Sequence, residues 1–114
     1  SRAHPSDLNK AFVAAVKEHS KGELAAGYFS VAAYDGLAAL DKALAKTGGD
    51  ISADAVMAAM KGLAFESPRG PIEIDAETRD IIQTVYIRKV ERVDGELVNV
   101  EFDKFDAVKD PGKQ

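Results

Sequence analysis

The chain has 114 residues, of which 46% are hydrophobic and 30% are charged. This length suits one domain, and this composition suits a folded chain rather than a disordered one. Its 15 Lys and Arg are outnumbered by 19 Asp and Glu, for a net charge of -4, which argues against a surface for nucleic-acid backbones. No apolar stretch approaches the roughly 20 residues needed to span a bilayer. We therefore expect no nucleic-acid partner and no membrane-spanning helix.

The residue types that catalysis and metal binding use are poorly represented. The chain has no cysteine, which excludes disulfides, thiolate metal sites and cysteine nucleophiles. His4 and His19 lie in unrelated segments without metal-ligand spacing. No nucleophile elbow, phosphate-binding loop or dinucleotide glycine pattern occurs. The sequence predicts a chain without catalytic residues, metal or cofactor.

Three helices are predicted in the first half of the chain. The first begins after Ser6 or Asp7 and ends at Lys21-Gly22. The second begins between Gly27 and Val31 and ends before residues 47–49, and its many alanines predict the most buried helix of the three. The third is capped by Ser52. Their apolar faces are predicted to be Leu8, Phe12 and Val16; Val31, Tyr34, Leu37, Leu40 and Leu44; and Val56, Met60 and Leu63.

Strands follow the helices, because residues 67–71 contain two prolines and a glycine that cannot continue a helix. A short strand is predicted over 72–75, and longer ones over 81–93 and 96–102. Asp94-Gly95 between the last two is a hairpin signal. The resulting order of three helices and three strands fits either a small α+β domain or the C-terminal segment of a larger α/β protein whose other strands would cover the apolar faces.

Four segments resemble the C-terminal third of the type I periplasmic solute-binding proteins, the extracellular ligand-binding receptors of ABC importers typified by the leucine/isoleucine/valine-binding branch. Each segment alone has little specificity, whereas their order and spacing together are specific. They are residues 9–13 (NKAFV), 33–44 (AYDGLAALDKAL), 65–75 (FESPRGPIEID) and 85–102 (VYIRKVERVDGELVNVEF).

The resemblance implies an α/β fold: the C-terminal portion of a two-lobe type I periplasmic-binding-protein fold, with three helices followed by a short strand and a β-hairpin. Residues 1–80 would be part of the N-terminal lobe, and 81–114 the hinge crossing and terminal hairpin of the second lobe, with the crossing near 80–84. It also implies periplasmic location, an upstream secretion signal, ABC permease subunits as partners and a small solute in the interlobe cleft. Amino acids, amides such as urea and aromatic carboxylates are the solute classes of the family.

One part of the family's solute site is present. In the branched-chain branch an aromatic residue at the start of the second helix packs on the solute, and alignment through Tyr34 places Phe29 there, with Tyr28 and Ser30 beside it. An aromatic ring at a helix start offers apolar area, while the exposed N–H groups there suit a carboxylate. The structural interpretation is that Phe29 anchors the core and Tyr28 is half-buried. Because most of the family's solute contacts lie outside this chain, we expect weak or no binding by the chain alone.

Three other features are interpreted structurally. Tyr34 is predicted to belong to the apolar face of its helix, and Asp35 to face solvent or cap locally. Glu66 and Arg69 flank the turn at 67–70 and are predicted to form an ion pair that shapes it, with a lobe surface facing a membrane permease as the alternative. The alternative function is a self-associating α+β interaction module without small-molecule binding, forming a homodimer through uncovered apolar faces or strand exchange.

Overall fold

The computed structural model describes residues 2–113 and contains three helices followed by a four-stranded antiparallel sheet with strands in sequential order. All three predicted helices are present. The sheet has one strand more than predicted. The elements are α1 (Asp7–His19), α2 (Tyr28–Lys46), α3 (Ala53–Met60), β1 (Ala64–Ser67), β2 (Gly70–Ile74), β3 (Ile81–Val93), β4 (Glu96–Val108) and a final 3-10 turn (Pro111–Lys113).

The helix ends follow from local side chains. The Ser6 hydroxyl accepts a hydrogen bond from the Asn9 N–H at 3.1 Å and caps α1. Ser52 does precede α3, but its side chain makes no capping bond, so the predicted cap is wrong in that respect. Helix α3 also ends at Met60, before the predicted face residue Leu63. The reason is that Gly62, at a φ of +69°, turns the chain so that Leu63 pairs with Ile74 instead.

The unpredicted strand β1 pairs with β2, and the chain turns between them at Ser67 and Gly70. Its sequence, Ala-Phe-Glu-Ser, contains no β-branched residue, so no intrinsic strand preference marks it. Strand β2 begins at Gly70, two residues before the predicted start. The Asp94-Gly95 hairpin is confirmed, with both residues at positive φ as a type I′ turn requires.

Strand β4 continues to Val108, well past the predicted end at Phe102. Polar residues interrupt the apolar alternation there, and register irregularities in the pairing between Gln83 and Val85 and between Ile87 and Arg88 let the ladder continue. The result is a pair of 13-residue strands. Both polar and apolar side chains of this long hairpin are exposed.

The buried apolar core is small. Within residues 2–113 the buried hydrophobic residues are Phe12, Ala39, Ala43, Ala59 and Ile72. Helix α2 therefore buries its small residues, whereas Leu37 on its predicted apolar face is 70% exposed. On that face Tyr34 packs edge-to-face on Phe12 of α1 at 5.2 Å, whereas Leu37 stays exposed. The burial predicted for α2 is therefore found at Ala39 and Ala43 and not at Leu37.

The shape agrees with an incomplete core. The molecule measures 49 × 36 × 21 Å, and its radius of gyration is 15.9 Å, against about 13 Å for a compact domain of this length. A chain that closed its own core would be rounder. The apolar faces left open are those that a larger α/β protein would cover.

An ion pair joins the end of β4 to the turn before β3. Lys109 Nζ lies 2.9 Å from Asp75 Oδ2, and the N–H groups of Glu77 and Thr78 donate to Asp75 Oδ1. Lys109, followed by these N–H groups, lowers the pKa of Asp75 from 3.8 to about 2. A carboxyl whose pKa is lower in the folded state stabilises the fold above its unfolded pKa and loses that contribution on protonation.

We therefore expect the stability advantage of the natural chain over Asp75→Asn to be full above pH 4 and to shrink as the pH falls from about 4 to 2. Urea unfolding of both chains at several pH values in this window measures the difference. Asp103→Asn, at an exposed carboxyl of β4, is the control. A difference between natural chain and Asp75→Asn that stays constant down to pH 2 would contradict the stabilising role of the carboxylate.

Candidate functional site

A groove of about 470 Å³ runs between the helices and the long hairpin. Its walls come from α1, the first turn of α2, the turn between β1 and β2, and strands β3 and β4. The volume lies within the range of small-molecule sites. Its apolar and aromatic lining includes Phe12, Val13, Tyr28, Val31, Val85, Tyr86 and Val98.

The start of α2, which the resemblance assigns to the solute site, forms part of the groove wall. Gly27 and Tyr28 line the groove. The Ser30 hydroxyl accepts from the Gly27 N–H at 2.9 Å and donates to the Gly27 carbonyl at 3.0 Å, which fixes the entry into the helix. The N–H groups of a helix start carry partial positive charge and favour an anion.

The three predicted site residues differ in their positions. Tyr28 is 73% exposed and lines the groove, whereas Phe29 is 86% exposed and lies beside Tyr28 in an edge-to-face contact at 5.6 Å. Neither ring is buried, so the interpretation of Phe29 as a core anchor and Tyr28 as half-buried is wrong. Ser30 is occupied by its bonds to Gly27. The rings are available for contacts that this chain does not itself make.

Three arginines line the groove, and no Asp or Glu of residues 2–113 does. Each arginine is paired with a carboxylate: Arg2 with Glu96, Arg69 with Asp35 and Arg88 with Glu101. The groove is therefore rich in cationic donors, although the chain as a whole is acidic. Such a wall suits an anionic ligand with an apolar body.

The most buried of these pairs was not predicted. Asp35 is 5% exposed, and its Oδ2 accepts from Arg69 Nε and from the Ser67 hydroxyl, both at 2.9 Å. The expectation that Asp35 faces solvent is therefore wrong. The predicted Glu66–Arg69 ion pair is also wrong, because Arg69 pairs with Asp35 and Glu66 is exposed. The missed signal is the spacing: Asp35 occupies the same face as the buried Ala39 and Ala43, four and eight residues on.

A second polar cluster fixes the N-terminal segment to the hairpin. His4 Nδ1 lies 2.7 Å from Glu101 Oε2, and Arg88 Nη2 lies 3.4 Å from Glu101 Oε1. The His4 ring packs edge-on against Tyr86 at 5.2 Å, and Arg88 lies over the same ring. These contacts hold the hairpin wall of the groove against the start of α1.

The described residues 2–113 hold neither a metal-binding cluster nor a membrane-spanning helix. No group of three or more His, Cys, Asp or Glu is arranged to hold a metal ion. No described helix combines the length and apolar character needed to cross a membrane.

Comparison with known proteins agrees with the resemblance seen in the sequence. Residues 2–96 match the family model described as periplasmic binding protein. A solute-binding protein of an ABC transporter from Rhodopseudomonas palustris BisB5, solved with 3,4-dihydroxybenzoic acid, is 60% identical over all of this chain with a TM-score of 0.95. Another from R. palustris HaA2, solved with p-hydroxybenzoic acid, is 43% identical over 97% of the chain with a TM-score of 0.85.

A curated relative is the Leu/Ile/Val-binding protein homolog 6 of Brucella abortus, 37% identical over 96% of this chain. The chain spans only part of these proteins: 28% of the Brucella protein, 31% of the BisB5 chain and 30% of the HaA2 chain. The matched part is their C-terminal portion, which confirms the predicted α/β fold class. The matched proteins bind solutes and are not enzymes, in agreement with the sequence.

Proposed function

This chain belongs to the periplasmic binding protein family, and we propose that it is the C-terminal part of an ABC importer's solute-binding protein whose solute is an aromatic carboxylate of the hydroxybenzoate class. The observation that carries the proposal is the 60% identity, over the full chain, to a protein solved with 3,4-dihydroxybenzoic acid. A second relative, at 43% identity, was solved with the closely similar p-hydroxybenzoic acid.

The chemistry of the groove supports this solute class. A hydroxybenzoate combines a flat apolar ring with a carboxylate, and the groove combines aromatic walls with arginines and a helix start. The exposed rings of Tyr28 and Phe29 offer the ring contact, and Ser30 keeps the helix start in shape for it. In this proposal these three residues belong to the part of the site that this chain contributes, with Tyr28 in the groove lining and Phe29 and Ser30 beside it.

The lobe assignment rests on the same family relation. Residues 1–80 belong to the N-terminal lobe, and 81–114 cross at 80–84 and end the second lobe as the long hairpin. One feature supports this division: the groove lies between the helices and the hairpin. Solute held there would contact both lobes, so hinge closure would complete the site.

The rest of the importer follows from the family. The longer protein acts in the periplasm after export by an upstream signal, and it delivers solute to the ABC permease subunits in the membrane. The role is binding and delivery without a cofactor. By itself the chain holds the solute weakly, because relatives are about three times as long and supply further walls.

Self-association is the second candidate, favoured by the large exposed side chains Leu37, Phe102 and Phe105. In this alternative two copies cover each other's apolar faces and no solute is bound. Native mass spectrometry of the chain alone separates the two candidates. A stable dimer that binds no aromatic acid would favour the interaction module. A monomer would favour a lobe segment that requires the rest of its protein for solute binding.

The decisive experiment uses the full-length protein that contains this chain. Isothermal titration calorimetry with 4-hydroxybenzoate, 3,4-dihydroxybenzoate and leucine is expected to show one aromatic acid bound per protein and leucine bound at least about 10-fold more weakly. Tight leucine binding without aromatic binding would contradict the proposed solute class.

The same protein tests Phe29. Because the ring is 86% exposed in this chain, Phe29→Ala is expected to change the free energy of unfolding of the chain alone by less than about 0.5 kcal/mol. In the full-length protein the same change is expected to weaken aromatic-acid binding about 10-fold through lost ring contact. Leu37→Ala removes another exposed apolar side chain outside the groove and serves as the control. Unchanged binding in Phe29→Ala would remove this residue from the site.

A further inference from the structure

We propose that Arg69 is the residue that receives the solute's carboxylate, and that Asp35 and Ser67 position its guanidinium in the groove. The inference rests on the proposed function, because it assigns the anion-recognition step of an aromatic-carboxylate site. The sequence predicted for Arg69 a turn-shaping ion pair or a surface facing the permease, and neither is a role in solute binding.

The guanidinium of Arg69 is held in one orientation by a cluster of two buried side chains. Its Nε is held at 2.9 Å by Asp35 Oδ2, which also accepts from the Ser67 hydroxyl. The Ser67 hydroxyl in turn accepts from the Arg69 N–H at 3.2 Å, so backbone and side chain of Arg69 meet one buried cluster. An arginine held at Nε keeps its two terminal nitrogens free to face a ligand.

Those terminal nitrogens have little to bind in the protein. Nη1 has one long contact, 3.4 Å to the neutral Gln83 Oε1, and Nη2 has no hydrogen-bond partner within residues 2–113. Both belong to a side chain that lines the groove and is 21% exposed. Paired N–H groups on Nη1 and Nη2 match the spacing of a carboxylate, which would displace only the weak Gln83 contact.

The other two groove arginines are less well placed. The side chains of Arg2 and Arg88 are 39% and 35% exposed, and each reaches its carboxylate at 3.4 Å. The Arg69 side chain, in contrast, is 21% exposed, and its partner Asp35, whose side chain is 6% exposed, lies within a helix. A buried partner on a regular element reduces the conformational entropy that binding costs. Arg69 is thus the preorganised cation of the groove.

Asp35 does not cancel this role. Its carboxylate reaches the Nε edge, whereas the solute would meet the opposite end of the planar guanidinium. The ion pair lowers the net charge near the groove, so recognition depends on directed hydrogen bonds more than on long-range attraction. The prediction is therefore a preference for a carboxylate over a neutral group of the same shape.

The test measures that preference in the full-length protein by calorimetry with 4-hydroxybenzoate and its neutral isostere 4-hydroxybenzamide. In the double variant Asp35→Asn with Arg69→Gln, both charges are removed together, so no buried charge is left without its partner. We expect binding of the carboxylate to weaken at least about 30-fold and binding of the amide to change less than about 3-fold.

Arg69→Lys keeps the charge but loses the paired donors, and an intermediate loss for the carboxylate is expected. Arg92→Gln, at a hairpin arginine outside the groove lining, is the control and should bind both ligands as the natural protein does. Thermal unfolding of each variant establishes that it is folded.

Each remaining outcome counts against the inference. A double variant that keeps the natural ratio of the two affinities, or one that loses both ligands equally, would reduce Arg69 to a structural residue, and so would a natural protein that binds amide and carboxylate equally. These results would leave the solute class intact. A natural protein that binds no aromatic acid would instead overturn the proposed function, and the inference with it.

Discussion

Gly70→Ala is expected to lower the free energy of unfolding by about 2–4 kcal/mol, from backbone strain and overpacking together. Gly70 has a φ of +101°, a conformation that side chains disfavour. A Cβ atom there would also overlap the hydroxyl oxygen of Tyr86 on β3. Because Tyr86 lines the groove and contacts His4 and Arg88, any shift of its ring would disturb the hairpin wall. Urea unfolding of the two chains measures the loss.

Two further variants separate the strain from the overlap. Gly95→Ala introduces a Cβ at a φ of +86° with no neighbour within 4 Å, so only strain is expected there, at about 1–2 kcal/mol. In Tyr86→Phe the overlapping oxygen is removed and the nearest ring carbon lies 3.5 Å from the added Cβ, an ordinary contact. Gly70→Ala should therefore cost less in the Tyr86→Phe background. If Gly70→Ala in the natural chain lowered the free energy of unfolding by no more than Gly95→Ala does, the close approach of Tyr86 to Gly70 would be contradicted.

The parts of the fold that the sequence predicted are those with local causes. Ser6 caps its helix through its own hydroxyl, and Asp94-Gly95 turns the hairpin through its own φ angles. Strand β1 has no such cause, because it is a strand only through pairing of Phe65 with Ile72. The end of α3 depended likewise on a backbone pairing between residue 63 and Ile74. A four-residue strand that is defined by its pairing partner shows no hydrophobic alternation by which the sequence could predict it.

In the candidate site, too, some residues could be predicted from the sequence and others could not. The resemblance places Phe29 at the solute position with Tyr28 beside it, whereas it is Tyr28 that lines the groove. The role of Asp35 could not be predicted, because its partners Ser67 and Arg69 are more than 30 residues away along the chain. A single Asp among alanines is ambiguous until the turn that faces it is known.

Helix α2 exposes large apolar residues on the side opposite its buried face. Exposed Leu37 and exposed Phe29 lie on a helix whose buried face consists of Asp35, Ala39 and Ala43. A helix that buries small residues and exposes large ones is half of a packing arrangement, and the rest of a longer protein supplies the other half. Under the proposed function, solute binding and stability therefore depend on segments of the longer protein outside this chain, because the chain covers 28–31% of its relatives.

Asp35→Ala is expected to cost about 2–3 kcal/mol of unfolding free energy, because it leaves a buried hydroxyl and a partly buried cation without their acceptor. The Ser67 hydroxyl, in a residue that is 1% exposed, would lose its bond to Oδ2. The Arg69 guanidinium would lose its ion pair but could still reach water, since it is 21% exposed. Because the guanidinium can reach water, the loss of unfolding free energy should lie at the lower end of the range for a broken buried ion pair.

Two variants on the same helix isolate the contribution. Asp41→Ala removes an exposed carboxylate and should change stability by no more than about 0.5 kcal/mol. Asp35→Asn keeps an acceptor for Ser67 and loses only the charge, so its cost should fall between those of the two alanine variants. Asp35 Oδ1 is buried without a hydrogen-bond partner within residues 2–113, so the bonds at Oδ2 provide the stabilisation. If Asp35→Ala were as stable as Asp41→Ala, the cluster would not fix Arg69, and the arginine would enter the groove no better ordered than Arg2 or Arg88.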